Sequence, residues 1–213
     1  MSMRDERRGT MRRRAAATCT TTGFALLLAV GLAPPAFADH EEMPTARQLL
    51  EKCDNGTDKC VFHPKGTPEY HQDASEVVGN PVYNCTDRKQ TTIVEWSDTK
   101  TESNSIGLSM TTTFGVIFKV AFKVSYGHSW SESHTESQST FVDAPPGHVA
   151  RVYRGAMMQK VNGTYELHFG DRYHGHYYWY VPFEATGPAK EKSGTVTQSA
   201  TPMTEEERAA HCD

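Results

Sequence analysis

The chain lacks most of what would mark an enzyme. It has no Gly-rich phosphate loop, no His-Glu-x-x-His pair and no paired-carboxylate motif. Gly127-His128-Ser129-Trp130-Ser131 imitates a nucleophile elbow, but Ser stands where the final Gly is required and no helix is expected to follow. No Cys-x-x-Cys spacing is present, which removes the common zinc frameworks. His174 and His176 fall on one face of an expected strand, with His168 across a hairpin. A third ligand is not visible from spacing, and a pair of exposed histidines, pH-sensing or inert, is the alternative. No catalytic residue, metal or cofactor is therefore expected, and the protein is read as non-enzymatic.

Long apolar runs are also missing. The one candidate, Gly23 to Leu32, is too short for a stable membrane anchor. It follows Arg4, Arg7, Arg8, Arg12, Arg13 and Arg14 and precedes Ala36-Phe37-Ala38, the layout of a signal peptide (1–38) cleaved after Ala38. Export is the expectation. The leader carries 6 of the 22 basic and 2 of the 26 acidic residues, so the mature part keeps 16 and 24, a net of −8 with histidine neutral. That balance argues against nucleic acid and against simple attachment to anionic lipid. Cysteine is scarce too: Cys53, Cys60, Cys85 and Cys212 remain, an even set in an oxidising compartment, with three possible pairings. The favoured pairing is Cys53–Cys60, closing the turn-rich loop 54–59, with Cys85–Cys212.

What the chain has is alternation. Ser97, Thr99, Thr101, Ser103, Ser105, Gly107, Ser109, Thr111 and Thr113 form one face, and Ser125, Gly127, Ser129, Ser131, Ser133, Thr135, Ser137 and Ser139 another. The even positions between them are apolar: Ile106, Leu108 and Met110, then Phe114, Val116, Phe118, Val120, Phe122, Val124 and Tyr126. A period of two predicts extended strand. One strand from Phe114 to Trp130 would run on the order of 50 Å, against the usual ~17–20 Å.

Two Ser/Thr-rich strands flanking a short amphipathic segment, followed by Pro145-Pro146-Gly147, resemble the aerolysin and epsilon-toxin superfamily of β-pore-forming proteins over roughly 91–155. The resemblance implies a mainly β fold, an elongated antiparallel sheet or sandwich. It also implies that Thr111 to Phe122, with Trp96 and Trp130 on the flanking strands, refolds into a membrane-spanning hairpin of an oligomer. Phe114, Val116, Phe118, Val120 and Phe122 would then face lipid, and Lys119 and Lys123 water. Members of that superfamily are usually larger and carry a separate receptor-binding region, for which this chain has little room.

Elsewhere the chain reads as one mature domain, 39–213: a disulfide-stapled cap over 39–90, a β-body over 91–200 and a C-terminal helix over 201–213. A helix is predicted at about Pro44 to Lys52, and another from the capping box at Thr204-Glu205-Glu206-Glu207. Residues 60–85 look irregular, with short strands near Val61–His63 and Val82–Cys85. Asn162-Gly163 between alternating runs predicts a hairpin turn joining Val149–Val161 to Thr164–Phe169. Tyr177, Trp179 and Tyr180, in the aromatic strand Tyr173 to Phe183, are a candidate sugar-stacking or interface surface, or core.

Two function classes follow. The first is an aerolysin-like secreted module whose long strands serve oligomerisation and pore formation. The second is a static adaptor that binds other exported proteins, similar in size and setting to the subunit bridging lectin and toxin-bearing components in umbrella-shaped antibacterial toxin particles. Partners are accordingly other protein subunits, with a target membrane or glycan as further options.

Overall fold

The computed structural model describes residues 42–212; the leader and its cleavage site lie outside the described residues. The chain opens with helix α1 (Ala46–Asn55), started by a capping box in which Thr45 and Gln48 bond each other's backbone. Strands β1 (Lys59–Gln72), β2 (Glu76–Tyr83), β3 (Gln90–Thr101) and the two-residue β4 (Ser103–Asn104) follow. Then come helix α2 (Thr113–Tyr126), strands β5 (Ser133–Ala144), β6 (His148–Gly155), β7 (Met157–Tyr173), β8 (His176–Pro188) and β9 (Thr195–Pro202), and helix α3 (Glu205–His211). The expected Thr204–Glu207 capping box starts α3. Both favoured disulfides are present: Cys53–Cys60 ties α1 to β1, and Cys85–Cys212 ties the chain after α3 to the segment after β2.

The protein is mainly β. Its antiparallel strands form a four-stranded sheet in the order β1-β7-β8-β4, a three-stranded sheet in the order β2-β6-β9, and the two-stranded ribbon β3-β5. Two apolar clusters hold these layers. The larger joins Leu49, Leu50, Phe114, Phe118, Phe122 and Trp130 to the inner face of the four-stranded sheet, where Phe62, Tyr165, Leu167, Val181 and Phe183 point inward. The smaller joins Val94, Trp96, Val142 and Ala144 of the ribbon to Val78, Ala150 and Val152.

Helix α2 overturns the principal secondary-structure expectation. Phe114, Val116, Phe118, Val120, Phe122, Val124 and Tyr126 are not on a strand; all lie on one 14-residue helix. A spacing of four satisfies both periods, so Phe114, Phe118 and Phe122 share a helical face as readily as a strand face. Tertiary contact breaks the tie. On the helix the three rings are fully buried and reach Phe62, Trp130 and Phe183 at 5.0–6.1 Å between centroids. Gly127, left-handed at φ 76° with its N–H on the Lys123 carbonyl, closes the helix. That glycine after a 14-residue amphipathic segment was the sequence signal for a helix end. Trp130, expected on a strand, lies in the loop before β5.

The hairpin expectation fails at its turn. Asn162-Gly163 sits inside β7, paired to β1 on one side and β8 on the other. Gly163 is there for close approach: a Cβ would come within 2.2 Å of the Phe62 ring. The actual turn is His174-Gly175, both at positive φ (46° and 82°), the type I′ requirement. Residues 60–85, expected to be irregular apart from short strands near Val61–His63 and Val82–Cys85, are mostly taken up by the longer β1 and β2, which pair with β7 and β6.

Candidate functional site

The expected Ser/Thr strands exist in part, as β3 and β5, paired residue for residue from Gln90↔Ala144 to Thr101↔Ser133; Ser125 lies instead on α2, and Gly127, Ser129 and Ser131 in the loop before β5. Their outer face carries Ser97, Thr99, Thr101, Ser133, Thr135, Ser137 and Ser139, all exposed. Ser137 donates to Ser97 at 3.0 Å, and the Thr99 and Thr135 hydroxyls meet at 2.8 Å. Ile93 and Phe141 stand opposite each other on this face, 51% and 70% exposed. Alternation beyond Thr101 does not continue as strand; after β4 the chain turns at Asn104, whose side chain bonds the Ile106 N–H and the Leu108 carbonyl.

Underneath, the ribbon is bolted to β6. The Arg154 guanidinium, almost fully buried, donates to Asp98 at 2.5 Å and to Glu136, which are themselves cross-strand partners, and lies over Trp96. Trp96 Nε1 donates to the Thr140 hydroxyl at 2.9 Å. Among the described residues neither β3 nor β5 pairs with a second strand, but the edges are covered in part: a Cβ on Gly79 of β2 would come within 2.9 Å of the Glu95 carbonyl oxygen, and the Asp143 N–H donates to the Gln198 side chain at 3.4 Å. Neither strand contains proline; the ribbon is guarded instead by charges that point inward, Asp98 and Glu136 to Arg154, and Lys100 to Glu76 at 2.9 Å and Asp73 at 3.5 Å.

The segment carrying α2 leaves the ribbon at Glu102 and returns at Glu132, where the Glu102 N–H donates to the Glu132 carbonyl at 2.7 Å. Trp130 Nε1 donates to the Glu102 carboxylate at 2.9 Å, and Lys119 of α2 pairs with Glu132. Burial raises the Glu102 carboxyl above its usual range, with the Trp130 bond opposing. The Thr113 hydroxyl donates to Asp54 in the last turn of α1, and the Tyr165 phenol, pushed up by burial, donates to the Phe114 carbonyl at 2.8 Å. Val116, Val120 and Val124 form an exposed stripe on the opposite side of α2.

The aromatic strand divides its side chains. Trp179 turns away from the exposed set: half-buried, it donates through Nε1 to the Tyr173 carbonyl at 3.1 Å. Tyr180 is exposed on the outer face with Tyr178, a residue the sequence reading did not single out, while Tyr177 pairs with the Arg172 guanidinium. His174 is in the turn instead of on a strand face with His176. Among the described residues no group of three or more His, Cys, Asp or Glu could hold a metal. Among the described residues no helix is long and apolar enough to cross a membrane, which says nothing of strands.

No family model and no curated protein matches the sequence. Solved structures do match. One is a candidate pore-forming toxin from Bacteroides vulgatus (7% identity, 70% of this chain, TM-score 0.31), of whose length the chain spans 59%. Another is the parasporin-2 toxin of Bacillus thuringiensis (17% identity, 67% of this chain and 74% of that one, TM-score 0.24). A third is a non-toxic crystal protein from Bacillus thuringiensis (8% identity, 76% and 98%, TM-score 0.22). At these identities and TM-scores the alignments carry no weight for superfamily or activity.

Proposed function

We propose that the protein is an exported, non-enzymatic scaffold subunit whose β3/β5 ribbon takes up an extended segment of another secreted protein. The setting is that of an adaptor in a multi-protein antibacterial toxin particle. The observation that carries this reading is the ribbon itself: two strands with no second paired neighbour among the described residues, a hydroxyl-clad outer face and one exposed apolar pair, Ile93 and Phe141. Strand addition uses such an edge, main-chain bonds giving affinity and alternate side chains specificity. The Arg154 bridge supports the reading, because it holds the edge rigid before a partner arrives.

Pore formation by the α2 segment is the second reading, and one feature favours it. Extended, Val116, Val120 and Val124 would join Phe114, Phe118 and Phe122 on a single apolar face of spanning length. Magnitudes weigh against it. Insertion would newly bury three valines but uncover Phe62, Tyr165, Leu167, Val181 and Phe183, each side chain worth on the order of 1.5–3 kcal/mol.

Two assays separate the readings. The mature protein, added to the producing culture's medium and recovered, is expected to bring down stoichiometric partners without releasing dye from liposomes. Ile93→Lys with Phe141→Lys should abolish recovery while the fold persists. Leakage that survives these changes but is lost in Val116→Asp with Val120→Asp would replace the scaffold reading with the pore.

A further inference from the structure

The outer face of the four-stranded sheet carries a second surface, independent of the ribbon. Register places Glu166 opposite Tyr180 and Val61, and His168 opposite Tyr178 and Lys59. Glu166 is gripped by two imidazoles: His63 Nε2 lies 2.8 Å from one carboxylate oxygen and His168 Nε2 2.5 Å from the other. The His168 ring meets the Tyr178 ring edge-on at 4.5 Å between centroids. Tyr178 and Tyr180, 56% and 62% exposed, are two residues apart on one strand face and so roughly 7 Å apart.

We propose that this face binds a neutral hexopyranose glycan, with Tyr178 and Tyr180 stacking on successive sugar rings and Glu166, fixed by His63 and His168, accepting hydrogen bonds from ring hydroxyls. A pyranose has the required two-sided chemistry, since its C–H face suits an aromatic ring and its rim offers hydroxyl donors. A carboxylate offers about four lone-pair sites, of which the two imidazoles take two. The rival occupants fit less well. The two histidine contacts hold the Glu166 carboxyl below its usual range, so it is ionised at neutral pH. A lipid surface or a dry protein interface closing over it would strand that charge, whereas sugar hydroxyls solvate it.

The test is titration of the mature protein with chitohexaose, cellohexaose, maltohexaose and mannohexaose, followed by calorimetry or intrinsic fluorescence. At least one is expected to bind with a Kd of about 1 mM or tighter, weakened about tenfold by Tyr180→Ala and by Tyr178→Ala. Glu166→Gln should weaken it less, and Tyr70→Ala, an exposed tyrosine elsewhere, should leave it unchanged. Both outer tyrosines are exposed, so thermal unfolding should stay at wild-type values in their alanine variants. No binding across the panel up to about 10 mM, or binding indifferent to Tyr180→Ala, would overturn the proposal. So would tyrosine-dependent adsorption to neutral phosphatidylcholine vesicles in place of sugar binding.

Discussion

At the scale of single residues, Arg154 and Gly163 carry consequences that no sequence motif announces. Arg154→Ala would leave Asp98 and Glu136 facing each other without their cation. A loss of about 1–3 kcal/mol is expected, the range for removing charge-assisted hydrogen bonds whose carboxylates still reach solvent, read as a drop in the urea midpoint. Gly163→Ala should cost on the order of 1–3 kcal/mol, because a methyl at that position drives into Phe62. Were Gly163 a turn residue, as the Asn-Gly pair suggested, the cost would come from backbone strain and Phe62→Ala would not relieve it. A double-mutant cycle between the two positions decides, with strong coupling expected. The sequence could show that a glycine stood at 163 but not what stood against it. Phe62 is 101 positions away and meets it only through the β1–β7 register.

At the scale of elements, α2 is the place where local preference and tertiary packing pull apart. Its exposed Val116, Val120 and Val124 favour strand, while its buried phenylalanines hold it helical. Replacing the three valines by alanine should raise stability by on the order of 1–2 kcal/mol from helix propensity, a gain visible in thermal unfolding. The base of the segment gives a pH dependence of known sign. Burial raises Glu102 in the folded state, so folding binds its proton more tightly, and this group's contribution becomes less favourable as pH rises through its folded value. Glu102→Gln is therefore expected to raise the melting temperature at pH 7 and to have little effect at pH 4, while still accepting from Trp130. The terminal helices were legible because their signals are local: Pro44 and one apolar side for α1, and for α3 a capping box in which Thr204 finds its partner three residues on; the Thr45–Gln48 box of α1 emerged only in the structure. The strand-or-helix choice at 113–126 was not, because a four-residue repeat of phenylalanine serves both periods.

At the scale of the whole molecule, the Cys85–Cys212 bridge spans 127 residues and encloses most of the β-body. Its removal by serine at both positions should lower stability by about 4–5 kcal/mol in the chain-entropy picture, far more than loss of the seven-residue Cys53–Cys60 loop through closure entropy alone. Equilibrium unfolding of the two double variants checks the order. By itself the sequence determined the mainly β character, the two terminal helices, the Ser/Thr strands over 97–101 and 133–139 and the cysteine set, because each of these is written in neighbouring residues or in a period of two. Only the tertiary structure decided that Phe114 to Tyr126 coil, that Asn162-Gly163 run straight through a central strand, and that Trp179 turns from the exposed tyrosines. In each case the local pattern fitted two conformations, and contact with a distant part of the chain selected one.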